Sequence, residues 1–160
     1  MDLTGTFPHK SSRENSYLFV LYDYNTNAIL LELLKSHQAK EIATAFAKCS
    51  DCLAKNLVSP KLYILDNECF SYLELAILKT NAKYKLVPPY QHRRSAAEKA
   101  IHTLKNHLLS GLATCDTDYP INEWYRLLVQ CELILNLLRS SRINPKTSSW
   151  AIVNGMHDFN

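Results

Sequence analysis

Residues 17–34 read YLFVLYDYNTNAILLELL. Two apolar runs, residues 17–23 and 28–34, flank the tetrapeptide YNTN, whose polar residues favour a tight turn. The stretch therefore predicts a β-hairpin. A sheet with one wet face would alternate apolar and polar residues along each strand. These runs are apolar almost continuously, so both faces of the hairpin must be covered, and helices are the cover expected.

Working outward, the opening MDLTGTFP carries Asp2 in what reads as the end of a strand truncated at its start. After the hairpin, residues 38–57 switch to helical period, with Ile42, Ala45, Phe46, Cys49 and Leu53 on one side. KLYILD (61–66) reads as a short buried strand introduced by Pro60. A helix follows over 68–80, with Phe70, Leu73, Ala76 and Ile77 inward, and KYKLV (83–87) is another short strand. Pro88 and Pro89 then forbid a helix and turn the chain. From Ser95, whose hydroxyl suits an N-cap, Ala97, Ile101, Leu104 and Leu108 recur at helical spacing. Glu98, His102 and Lys105 share a neighbouring stripe of that helix. A last helix runs from about 121 to 140, started by Pro120. Trp124, Leu127, Leu128, Cys131, Leu135 and Leu138 form one apolar face; Tyr125, Val129, Leu133 and Leu137 form a second, which must lie in the core or meet a partner. The tail 141–160 has weak periodicity and is expected to be less ordered.

The 160 residues form one domain in this reading, with no linker, repeat or low-complexity run. Three leading strands supply an antiparallel part. The two later strands, each reached through a helix, add in parallel by right-handed crossovers. The fold class expected is α/β, a five-stranded mixed sheet flanked by helices on both faces.

Composition narrows the function classes. A formal charge of +3, from 18 basic and 15 acidic residues, does not by itself identify a nucleic-acid partner. Local clustering of His92, Arg93, Arg94 and Lys105 is more informative. Three glycines leave no room for a Gly-rich phosphate loop, and no apolar run reaches membrane-spanning length. The five cysteines, an odd number, argue for reduced thiols and an intracellular setting. Cys49-x-x-Cys52 lies in a predicted helix with no second pair, so it reads as buried structural thiols rather than a zinc site.

In the expected sheet, Asp2 on the first strand and Asp66 at the carboxyl end of the fourth can be neighbours. The helix from Ser95 can lay Glu98 over the same end. Three converging carboxylates repel one another, and divalent cations relieve that repulsion. An all-oxygen set suits Mg²⁺ or Mn²⁺, and two ions about 3.5–4 Å apart suit in-line displacement at phosphorus. Each residue alone has a plainer explanation. Asp66-Asn67 can cap the following helix, Ser95-Ala-Ala-Glu98 is a capping box, and Asp2 can be a solvated acid.

Together, MDLTG around Asp2, YILDNE around Asp66, PPYQHRRSAAEKAIHTLKNHL around Glu98 and the downstream LNLLRSSRINPKTSSWAIVNG resemble the catalytic core of retroviral and long-terminal-repeat retrotransposon integrases, within the ribonuclease H-like superfamily. The resemblance spans essentially the whole chain. It implies a Mg²⁺-dependent polynucleotidyl transferase, with Mn²⁺ as substitute, that trims element DNA ends and joins them to target DNA. It further implies Asp2, Asp66 and Glu98 as catalytic ligands of two ions. Tyr90, His92, Arg93, Arg94, His102 and Lys105 would then be DNA contacts, with a homodimer or higher multimer formed through the final helix in an intracellular, nuclear setting. His102 stands where the family usually has lysine. The 31 residues between Asp66 and Glu98 are fewer than the family usually has. A second reading of the same resemblance is a non-catalytic, integrase-derived domain that binds nucleic acid or oligomerises; a third is another ribonuclease H-like nuclease.

Overall fold

The computed structural model describes residues 1–56, 58–65, 71–86 and 96–155. The hairpin forms as its sequence dictates. Strands β2 (Tyr17–Asp23) and β3 (Ala28–Leu34) pair antiparallel from Tyr17 opposite Leu34 to Asp23 opposite Ala28. In the turn between them the Asp23 carboxylate accepts from both the backbone N–H and the hydroxyl of buried Thr26, each at 2.7 Å. Asn27 takes a φ of 61°, a left-handed geometry that asparagine tolerates better than most residues.

The two faces of the hairpin are buried by different helices. Phe19, Leu21, Ala28, Leu30 and Leu34 pack with Ile42, Ala45, Phe46, Cys49 and Leu53 of α1 (Ala39–Lys55). Tyr63 and Leu65 of β4 (Leu62–Leu65), Leu73 and Ile77 of α2 (Ser71–Leu78) and Val153 complete that layer. On the opposite face, Leu18, Val20 and Ile29 pack with Ala100, Ile101, Leu104 and Leu108 of α3 (Ala96–Ala113). Trp124, Tyr125, Leu128, Cys131 and Leu135 of α4 (Trp124–Leu138) join the same cluster. Leu18 to Leu21 are each no more than 2% exposed, so four successive side chains point alternately into two cores.

The expected single five-stranded sheet is corrected to two smaller ones. β1 (Asp2–Leu3), β2 and β3 make a three-stranded antiparallel sheet, and β4 pairs in parallel with β5 (Lys83–Leu86). Between them the Met1 α-amino group donates to the Ile64 carbonyl at 3.0 Å. β1 pairs with β2 on one side and meets β4 through that bond on the other. Mixed strand directions and helices on both faces stand as expected.

The start of α4 also differs from expectation. Residues Ile121–Glu123 form a 3₁₀ turn after Pro120, and the α-helix begins at Trp124. Phe7 stacks on Trp124 with ring centroids 4.3 Å apart, and the Trp124 indole N–H donates to the His9 carbonyl at 2.8 Å, tying the β1–β2 loop to the helix start. Leu138, expected inward, is 78% exposed in the last turn, whereas Tyr125, expected on the second stripe, is buried. Cys49 and Cys131 are buried; Cys52, three residues along α1, is exposed. The weakly periodic tail contains α5 (Ser149–Val153), N-capped by the Ser148 hydroxyl at 3.1 Å from Ala151 N, with Ile152 and Val153 buried.

β3 lies at the edge of its sheet, where unpaired backbone groups normally invite another strand. Buried Asn136 on α4 meets it. Its side-chain oxygen accepts from Ile29 N at 2.8 Å, and its amide donates to Ile29 O at 2.7 Å. The side chain thus replaces the residue of a further strand. Asn136→Leu removes two hydrogen bonds and leaves both Ile29 groups unsatisfied, so urea denaturation should show a loss of about 2–4 kcal/mol. A loss well under 1 kcal/mol would mean that water reaches this edge.

Candidate functional site

Asp2 lies in β1 directly opposite Val20. Cross-strand partners in an antiparallel pair project to the same face. Val20 packs with α3, so Asp2 also faces the α3 side of the sheet, while flanking Met1 and Leu3 pack against the α1 core. The carboxylate is half-buried, and its Oδ1 accepts from Leu3 N at 2.8 Å. The bond from Met1 to Ile64 brings this end of β1 beside the end of β4. Burial pushes the Met1 amine below its ordinary pKa, and the negative Asp2 works in the opposite direction.

Along β4, Tyr63 and Leu65 face the α1 core, and Leu62 and Ile64 alternate to the other side, each 53% exposed. An open floor therefore lies on the face to which Asp2 points. β4 ends at Leu65, and Asp66 is the next residue in the chain. Asp66 itself lies outside the described residues, as do Tyr90, His92, Arg93, Arg94 and Ser95. The capping box expected at Ser95 falls with them.

Glu98 occupies the first turn of α3, where the positive end of the helix dipole favours a carboxylate. Ala97, Ala100, Ile101, Leu104 and Leu108 are buried, and this stripe turns Glu98 and His102 outward to exposed positions, with Lys105 half-buried. A His102 ring nitrogen, Nδ1, lies 3.3 Å from the Asn106 side-chain amide. The expected face of Glu98, His102 and Lys105 is therefore present. Among the described residues, no group of three metal-binding side chains comes together. Asp2 and Glu98 supply hard carboxylate oxygens, the donor type that suits Mg²⁺ or Mn²⁺.

No protein-family model and no curated protein sequence matches this chain. Solved structures do match. An integrase chain of the simian T-cell lymphotropic virus intasome, in complex with PP2A regulatory subunit B56 gamma, superposes with a TM-score of 0.71 at 17% identity. That match covers 99% of this chain and 53% of the other, so the chain spans about half the length of that relative. The HTLV-2 integrase catalytic core domain in complex with magnesium matches in its trimeric form with a TM-score of 0.68 at 20% identity, covering 94% of this chain and 91% of that one. Its dimeric form gives 0.66 at 19%, covering 98% and 92%. The fold is that of a retroviral integrase catalytic core. Among the described residues, no helix is long and apolar enough to cross a membrane.

Sequence reasoning missed two polar features of this core, both on α4. One is Asn136, an amide set between Leu135 and Leu137 in a helix with two apolar faces. The other is Glu132, one turn earlier. Glu132 accepts a hydrogen bond from the Leu31 backbone, so residues 132 and 136 of α4 meet residues 31 and 29 of β3. Burial first, and then nearby Glu32, push the Glu132 carboxyl from the ordinary 4.5 up to about 7. Glu32 is itself held by Lys48 at 2.9 Å. A carboxyl raised in the folded state binds more protons than in the unfolded state between these two values. Its contribution to stability therefore falls as pH rises from about 4.5 to 7 and is level above. Glu132→Gln keeps an acceptor for Leu31 but removes the charge. The melting-temperature difference, variant minus wild type, should grow from pH 5 to pH 8; a constant difference would place Glu132 in solvent.

Proposed function

We propose that this chain is the catalytic core of a retroelement integrase, a divalent-metal-dependent polynucleotidyl transferase that processes element DNA ends and joins them to target DNA. The observation carrying this reading is the shared face. Asp2 projects to the side of the sheet that bears α3, beside the end of β4, and α3 carries Glu98 in its first turn. The superposition on integrase cores, one of them a complex with magnesium and another an intasome, supports the same reading.

Asp2, Asp66 and Glu98 would hold two Mg²⁺ ions, with Mn²⁺ as substitute. When bound, a divalent ion supplies charge stabilisation at the transferring phosphoryl group. The chain's own residues bind and orient DNA around that point. Lys105 and His102, two turns and one turn beyond Glu98, face backbone phosphates of the element end. Tyr90, His92, Arg93 and Arg94 precede α3 in the chain and supply further contacts. The exposed β4 floor at Leu62 and Ile64 leaves space for a duplex rather than a small molecule. Nuclear action follows from this reading.

Glutamine at 98 keeps a polar side chain in an exposed first turn but cannot supply the negative charge. In Glu98→Gln, metal-free stability should change by less than about 1 kcal/mol, the usual scale of a lost cap. The extra melting temperature that wild type gains on adding Mn²⁺ should largely disappear, and strand transfer with it. Retention of the full Mn²⁺ gain in Glu98→Gln would sink the ligand assignment and leave the non-catalytic, nucleic-acid-binding reading.

The assembly proposed is a homodimer or higher multimer through α4. Val129, Leu133 and Leu137 are 72%, 41% and 46% exposed along its outer side, an apolar stripe about two turns long. The HTLV-2 cores, solved in dimeric and trimeric forms, support self-association. Sedimentation at high protein concentration should show a dimer that Leu133→Asp dissociates. A dimer that survives this substitution uses another surface.

A further inference from the structure

At the turn of the hairpin, two arginines gather with no counter-charge among the described residues. Arg139 and Arg142 follow α4, and both guanidiniums stand over the Tyr22 ring, at 5.7 and 5.8 Å from its centroid. Arg142 also stacks on Tyr24 at 4.0 Å and donates to the Tyr24 carbonyl. Its backbone N–H donates to Asn25 O at 3.0 Å. Arg139 donates from Nε to the Asn27 carbonyl at 3.1 Å and reaches the Asn27 side-chain oxygen at 3.4 Å. Among the described residues, no salt bridge to a carboxylate is made by either arginine. The acid at the hairpin turn, Asp23, is committed to Thr26.

Two like charges over one ring repel, and among the described residues each donates to neutral oxygens alone. Both are held in place by stacking and by carbonyls, so little side-chain freedom is left to lose on binding an anion. Tyr24 beside them is 65% exposed, a flat aromatic surface at the rim of a cationic patch. Cations that track phosphates, next to an exposed ring, are the elements of a nucleic-acid surface. The patch is separate from the candidate active site. Asp2 is opposite Val20, four residues before Tyr24, or roughly 13 Å along a strand.

We propose that Arg142, Arg139 and Tyr24 form a second nucleic-acid contact, at the hairpin turn, that grips backbone phosphates without reading sequence. Only the choice of polyanion rests on the integrase reading. The contact itself needs no metal and no carboxylate.

The test is fluorescence anisotropy of a short labelled duplex, and of one of its strands, over a salt series in EDTA, using the full chain. Arg142→Gln should weaken binding several-fold on every sequence and make the plot of log K against log salt shallower by about 0.9, the value of one phosphate contact. Arg142→Lys, which keeps the charge, should retain most of the slope. Tyr24→Leu should weaken single-strand binding several-fold and serves if Arg142→Gln melts too low to assay. Wild-type affinity and slope in Arg142→Gln, or in its absence wild-type single-strand binding in Tyr24→Leu, overturns the proposal. Inorganic phosphate at matched ionic strength should leave the difference between wild type and Arg142→Gln intact; if it abolishes it, the patch takes free anions and the proposal fails. A chain with no Mn²⁺ response and no strand transfer would fail the catalytic reading and leave these EDTA measurements standing.

Discussion

The structure depends on a hairpin that is apolar on both faces. Full burial of each large aliphatic or aromatic side chain contributes on the order of 1.5–3 kcal/mol, and Leu18, Phe19, Val20 and Leu21 are all buried. Neither face can be left to water. α1 covers one, and α3 with α4 covers the other, so the layer order follows from the composition of two strands. The same demand sets what each helix exposes. A stripe spent on the hairpin leaves the opposite side of α3 to polar chemistry, and that is where Glu98, His102 and Lys105 stand.

α4 does more than cover a face. Glu132 and Asn136, one turn apart, meet the backbone of Leu31 and Ile29, two residues apart on the open edge of β3. Two side chains therefore take over hydrogen bonds that another strand would make, and they fix the register of the helix along the sheet. The chain that leaves the helix continues the same task. Arg139 and Arg142 hold the carbonyls of the hairpin turn, and the Ser149 N–H donates to Arg139 O at 2.7 Å, which anchors α5. A single helix end thereby joins the sheet edge, the turn and the last helix. The cost is a carboxyl kept in a place that raises its pKa to about 7.

On the functional side the geometry is open where the core is not. β1 has two residues in its ladder and meets β4 through the bond from Met1 to Ile64, and β4 turns Leu62 and Ile64 outward. The cationic turn lies beyond the far end of β2, away from Asp2.

Much of this was legible in the residues. The hairpin was legible as two near-continuous apolar runs about a polar turn, and β4 and β5 as short runs bounded by turn residues. α1 and the buried stripe of α3 follow from local periodicity, because burial of one face imposes a period of 3.6 on a half-covered helix. The alignment of Glu98, His102 and Lys105 is likewise a property of one helix. The sequence alone did not determine which edge of the sheet α4 would close, because α4 is apolar on two faces and its pattern does not say which of them meets the sheet. Asn136 and Glu132 acquire meaning only when Ile29 and Leu31, more than a hundred residues away, arrive opposite them. The same holds for the division into two sheets and for the arginines at the turn. Hydrogen bonds and charges act over a few ångströms between residues far apart in the chain, so only the tertiary structure could decide them.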